Sequence, residues 1–211
     1  VENDSTPQDV FGHGCGVAGI IAANSNNGIG IAGIAPNARI LPLRVLDAGG
    51  SGTYSNVAAA IVSATDLGAQ IINLSLGGSV PSTTLENAIN YAVSRGVIMV
   101  AAAGNTGQPG VLYPAAYPSV IAVASVNSNL QPSSFNSTGP EIDTYAPGQS
   151  VLSLLRSGAY GTMSGTSFAA PQVAGVAALE IGRGRSLAIN GGVISVSSAP
   201  LPTETPAAPS P

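Results

Sequence analysis

A serine hydroxyl attacks a carbonyl only when a base within hydrogen-bond reach takes its proton, and the charge that builds on the carbonyl oxygen needs donors aimed at it. One imidazole is available for the first task, since His13 is the single histidine of the chain. It lies in Gly12-His13-Gly14-Cys15-Gly16-Val17-Ala18-Gly19, a histidine entering a run of small residues. A serine stands in Ser164-Gly165-Thr166-Ser167-Phe168-Ala169-Ala170-Pro171, where Ser167 heads an apolar stretch. A helix starting there turns free N–H groups and its positive dipole end toward an oxyanion beside Ser167. Ala101-Ala102-Ala103-Gly104-Asn105, an apolar run ending in an amide, offers a second donor in Asn105. Each of these residues also has a plain structural reading: Ser167 as an N-cap, Asn105 as a turn residue, His13 as a packing or surface residue. Cys15 reads as a small buried thiol; two residues along a helix point apart, which argues against a Cys–His pair with His13.

The elements that must hold these groups follow from periodicity. Short Ile-, Val- and Leu-rich runs at residues 38–46, 70–76, 97–102 and 119–124 show little alternation, as strands buried on both faces do. Helical stretches lie between them, so the layout is α/β, with crossover connections and a mostly parallel sheet covered on both sides. Ser55 is expected to cap a helix running to Leu67 and stopped by Gly68. Thr83-Thr84-Leu85-Glu86 reads as a capping box for the next helix, which Gly96 ends. A third helix is expected from Ser167 to Leu179 with Pro171 in its first turn, and a fourth from His13.

Composition narrows the classes. Only 8 % of residues are charged and the net charge is −4, so no basic stripe exists for phosphates or an anionic membrane; neither nucleic acid nor membrane is an expected partner. No run approaches the ~18 consecutive apolar residues of a spanning helix. A lone cysteine forms no internal disulfide. The 211 residues suit one sizeable core over residues 1–182, followed by an ambiguous segment at 183–198 and a Pro-, Ala-, Ser- and Thr-rich tail at 199–211 that reads as linker or disorder.

Taken together, Gly-His-Gly, Ala-Ala-Gly-Asn and Gly-Thr-Ser-Phe-Ala-Ala-Pro resemble the subtilisin-like serine proteases, especially their thermitase-like branch, over about residues 3–178. Ile72-Asn73-Leu74-Ser75-Leu76-Gly77-Gly78 and residues 113–123 match family segments as well. The resemblance implies a three-layer subtilisin-like fold and an endopeptidase acting through an acyl-enzyme on Ser167. His13 would be the general base, and Asn105 with the Ser167 N–H the oxyanion donors. It further implies that a peptide lies as an added strand between Gly50-Ser51-Gly52 and Ser75-Leu76-Gly77, with Tyr54 flanking an outer subsite. Ala102, Ala103 and Gly104 would wall a pocket for sizeable apolar side chains. Tyr113-Pro114 stands where the family holds a cis peptide. Catalysis needs no cofactor. Structural calcium is implied at Asn27, Ile29 and Ile31 and at Asp4, Thr6 and Gln8, although Asp4 with Glu2 and Asp9 also reads as a solvated acidic loop. By the same resemblance the protein is expected to be secreted, extracellular and monomeric, with its targeting segment outside this chain, and to act on protein or peptide substrates.

The match breaks at the acid. The family's catalytic Asp sits in an Asp-Thr/Ser-Gly turn well before the histidine; the 12 residues ahead of His13 contain no such turn, and Asp4 and Asp9 fall in the calcium-loop region. The strand expected to centre the sheet goes with it. Cys15 and Gly16 replace a usual Thr and His, and Gly16 is expected to weaken its helix by about 0.5–1 kcal/mol relative to Ala. The family's last helices have no clear counterpart after Gly182. Two alternatives to an impaired protease therefore stand: a pseudoprotease that keeps its peptide groove, and a fragment without independent function.

Overall fold

The computed structural model describes residues 8–190 and 193–197. Its centre is a sheet of four parallel strands in the order β1 (Ile71–Leu74), β2 (Ile98–Ala102), β3 (Ile121–Val126) and β4 (Thr144–Pro147). Alternate residues of these strands feed two cores. On one face Leu74, Met99, Ala101 and Ala122 meet α2 (Tyr54–Asp66) and α3 (Thr83–Ser94) through Val57, Ile61, Leu85 and Ile89. On the other, Val100, Ala102, Ile121 and Val123 meet α4 (Thr166–Gly182) through Ala169, Ala170 and Ala174, with Ile21 of α1 (His13–Ala22) packed alongside. This is a three-layer α/β fold, and its sheet is covered on both faces as the strand composition requires. Burying side chains such as Leu85 and Ile89 completely stabilises the fold by about 1.5–3 kcal/mol each.

Two antiparallel hairpins complete the described chain: β5 (Val151–Leu154) with β6 (Tyr160–Met163), and β7 (Ser186–Asn190) with β8 (Val193–Ser197). No described helix is long and apolar enough to cross a membrane. Residues 199–211, expected as a tail, lie outside the described residues.

Several expectations need correction. Residues 38–46 form no strand. A strand exists by its ladder, and among the described residues this segment is paired with none: β1 pairs with β2 and its outer edge is left open. Ile40, Leu41 and Leu43 accordingly stay 40–45 % exposed. Helix starts fall one or two residues earlier than expected. Thr53, not Ser55, caps α2 by accepting from Asn56 N–H at 3.2 Å, and Ser82, not Thr83, caps α3 by accepting from Leu85 N–H at 3.4 Å. β4, β5 and β6 have no counterpart among the expected strands. Finally, α4 starts at Thr166, which puts Pro171 in its second turn.

Candidate active site

Ser167 sits in the first turn of α4, behind the N-cap Gly165. The side chain of Asn105, just beyond β2, is clamped to that turn: its Oδ1 accepts from Thr166 N–H at 2.8 Å and from Thr166 Oγ1 at 3.0 Å. Gly104 N–H donates in turn to Thr166 Oγ1 at 3.1 Å. Because a backbone N–H can only donate, the amide oxygen must face Thr166, which leaves the Nδ2 end of Asn105 to donate elsewhere. The Ser167 N–H belongs to the first helical turn, where amides lack an intrahelical acceptor. Two donors, one amide and one backbone, thus flank the serine, the composition of an oxyanion hole.

Pro171 has a consequence for the serine. In an α-helix residue i donates to the carbonyl of i−4. Pro171 has no N–H, so the Ser167 carbonyl is left without that donor. The Ser75 hydroxyl fills the place, donating to Ser167 O at 2.7 Å, while Ser167 Oγ donates to the Ser75 carbonyl at 3.3 Å. This reciprocal pair ties the end of β1 to the head of α4. Asn73 supports it by donating from Nδ2 to Ser75 Oγ at 2.9 Å, and Asn73 Oδ1 is buried without a partner.

His13 opens α1, which is seated by small residues. A side chain at Gly19 would meet Leu154 and Ser153, and one at Gly16 would collide with Met163, so glycine at 16 serves close packing rather than merely weakening the helix. Ser153 Oγ donates to Gly16 O at 2.6 Å, fixing α1 to β5. The imidazole lies with its ring centroid 5.4 Å from that of Phe168, the neighbour of Ser167, and 6.4 Å from that of Phe11. His13 and Ser167 are thus brought to one region, but the Ser167 hydroxyl is turned to Ser75 and not to the imidazole. Among the described residues no carboxylate bonds the His13 ring. Asp9 is committed elsewhere, accepting from Gly12 N–H at 2.7 Å and Cys15 N–H at 2.6 Å.

Electrostatics follow from this arrangement. Burial pushes the His13 pKa below the ordinary imidazole range, outweighing the opposite pull of Asp9. For Asp9, burial raises the pKa, but the hydrogen bonds from Cys15 and Gly12 prevail and hold it low. The Cys15 thiol is pushed up by burial, by its hydrogen bond to Asp9 and by the Asp9 charge, so it stays protonated at neutral pH. It is only half-buried, contrary to the buried thiol expected.

The implied groove residues form a bounded set. Asp47 Oδ1 accepts from Gly49 and Ser51 N–H, which shapes the loop containing Gly50, Ser51 and Gly52. Tyr54 OH donates to Val80 O at 2.7 Å and joins that loop to the segment after Ser75, Leu76 and Gly77. Gly78 and Tyr113 exchange backbone hydrogen bonds at 2.8 Å, and the Tyr113–Pro114 peptide is cis. Ala102 and Ala103 turn their methyl groups into opposite cores and are 4 % and 0 % exposed, so only the backbone of this stretch could line a groove. Gly104, at φ +113°, is held in the region that favours glycine. Of the calcium candidates, Asp4 and Thr6 lie outside the described residues. Asn27, Ile29 and Ile31 line an open loop cavity of 280 Å³ spanning residues 24–32, which offers amide and carbonyl oxygens but no carboxylate. Asn27 Oδ1 accepts from Ile29 N–H at 3.2 Å, which folds the loop back on itself and leaves the amide oxygen a second lone pair. No cluster of three His, Cys, Asp or Glu fit for a metal occurs among the described residues.

Sequence reasoning missed Thr166, Met163 and the Ser75 hydroxyl. The signal for the last was present: a proline four residues after Ser167 leaves a carbonyl that another donor must satisfy.

The family profile described as "Subtilase family" matches residues 1–186. Thermitase of Thermoactinomyces vulgaris is 52 % identical over 186 residues, covering 88 % of this chain and 67 % of that protein. The "Thermophilic serine proteinase" of Bacillus sp. (strain AK1) is 51 % identical, covering 88 % and 46 %, and subtilisin E of Bacillus subtilis (strain 168) is 49 % identical over 184 residues, covering 85 % and 48 %. The chain therefore spans about half to two thirds of the length of these relatives. A crystal structure of a cold-adapted subtilisin-like serine proteinase superposes with a TM-score of 0.79 at 37 % identity, over 91 % of this chain and 67 % of that one. With a family profile matching most of its length and relatives near 50 % identity, this chain belongs to the subtilase family.

Proposed function

We propose that this chain carries the nucleophile, base and oxyanion hole of a serine endopeptidase acting on proteins or peptides. One observation carries the reading: Asn105 is locked by Thr166 with its donor end free, beside the Ser167 N–H at the head of α4. Ser167 Oγ would form a bond to the scissile carbonyl carbon as its proton passes to His13, and the oxyanion would take hydrogen bonds from Asn105 Nδ2 and Ser167 N–H. The C–N bond then breaks, His13 gives its proton to the leaving amine, and water releases the acyl group by the reverse roles. The hydroxyl must first swing from Ser75 O to the imidazole; such bonds often form only in the substrate complex.

Turnover of this chain is expected to be low. With no carboxylate on the His13 ring among the described residues, neither its tautomer nor its imidazolium is held, a loss worth about four orders of magnitude in serine proteases. The same observation favours a second reading, a peptide-binding module that keeps the groove. By its relatives, the protein is proposed to be secreted and to act outside the cell, with a peptidase unit ending near residue 182. A fluorophosphonate probe decides between the readings. Labelling that disappears in Ser167→Ala supports the peptidase; a folded chain that does not label supports the binding module.

A further inference from the structure

His13 is one wall of a second feature, a cleft of 380 Å³ lined also by Phe11, Leu155, Arg156 and Met163. It is separate from the groove implied between residues 50–52 and 75–77, none of which line it. Phe11 stands at the junction, since a side chain on Gly50 would lie 3.2 Å from its ring. The chemistry of the reaction says which half of a peptide belongs there. The base that takes the serine proton must give it to the departing amine, so the departing half lies against the imidazole, whereas the acyl half stays on Ser167. A cleft sharing the imidazole as its wall is placed to receive what departs.

The lining carries one full charge, Arg156, beside the apolar Phe11, Leu155 and Met163 and the polar Ser157 and His13. Phe11 is 56 % exposed and Leu155 36 %, so both present free surface. Arg156 is exposed, and its Cβ lies 3.5 Å from the position of a side chain on Gly12, the residue before His13. It forms no ion pair with the described residues; the arginines paired to Glu180 are Arg183 and Arg185. Asp9, the carboxylate acting on His13, has both oxygens engaged by backbone N–H groups. A guanidinium with no ion-pair partner among the described residues, at the wall of a largely apolar cleft, fits a carboxylate bound by two parallel N–H···O contacts.

The proposed reaction thus places the leaving half of the peptide at this cleft, and we propose that Arg156 selects an acidic residue within that half. This rests on the peptidase reading for the direction of the substrate, but the cleft can be tested without turnover. The probes are fluorescein-tagged leaving-half peptides with free amino termini, Ser-Glu-Ala-Ala-Gly and Ser-Lys-Ala-Ala-Gly, and the readout is anisotropy with the full chain. An exposed ion pair is worth a few-fold in affinity, so the Glu peptide is expected to bind about two- to fivefold more tightly at low ionic strength. That preference should shrink as salt is added and reverse in Arg156→Glu, a surface change that leaves the cores intact. Equal binding of the two peptides, a preference that survives Arg156→Glu, or no binding by either overturns the proposal. Fluorophosphonate labelling of the same samples keeps the questions apart: labelling without acid preference removes only the acidic subsite, and acid preference without labelling keeps the subsite but removes the peptidase.

Discussion

The tie between Ser75 and the head of α4 can be taken apart with two substitutions. Ser75→Ala removes the hydroxyl that donates to Ser167 O at 2.7 Å and accepts from Asn73 Nδ2 at 2.9 Å. An unsatisfied buried carbonyl costs about 1–3 kcal/mol. Both bonds here are only partly buried, so the expected loss is about 1–2 kcal/mol, or roughly 2–8 °C of melting temperature at 2–4 °C per kcal/mol for a chain of this size. Pro171→Ala supplies the missing N–H in the position from which an α-helix bonds Ser167 O. Its own effect is small, because the regained hydrogen bond offsets the greater freedom of the unfolded chain. In the Pro171→Ala background, Ser75→Ala should therefore cost less, with a coupling of about 0.5–1.5 kcal/mol. Thermal or urea melts of the parent, both single variants and the double variant measure this coupling. If the two substitutions add within about 0.5 kcal/mol, Pro171 does not create the acceptor that Ser75 fills, and the account of the serine's placement fails.

Replacing Asn105 with Ala removes one oxyanion donor and the clamp on Thr166, so fluorophosphonate labelling of Ser167 should slow by about 10²–10³ while the far-ultraviolet spectrum is retained. His13 should titrate below the ordinary imidazole range in an NMR pH series, because burial disfavours its charged form. A depressed histidine pKa means the unfolded state binds the proton more readily, so the stabilisation from neutral His13 is present above the unfolded pKa and is lost as pH falls through that value toward the folded one. Gly16→Ala should change stability by no more than about 1 kcal/mol in melts, because the flexible end of Met163 can turn away and alanine favours the helix by about 0.5–1 kcal/mol; a larger loss would show that Met163 is fixed in place. Cys15, held protonated by its setting, should react with iodoacetamide more slowly at neutral pH than a free cysteine; equal rates would contradict the environment assigned to it.

Much of this protein was legible in its residues. The imidazole, the amide and the hydroxyl could be picked out by type, because few residues do such chemistry and His13 has no competitor. Residues 70–76, 97–102 and 119–124 could be read as strands, because a sheet covered on both faces demands continuous apolar runs. What tertiary structure decided was pairing. Residues 38–46 have strand composition yet form none, since a strand exists only in a ladder and among the described residues this segment lies in none. Ser75 meets Ser167 across 92 positions of chain, and Arg156 reaches the wall of His13 only because β5 and β6 fold against α1. Local sequence sets which conformations are inexpensive; contacts between distant segments depend on how whole elements pack, and that is settled by the assembled core.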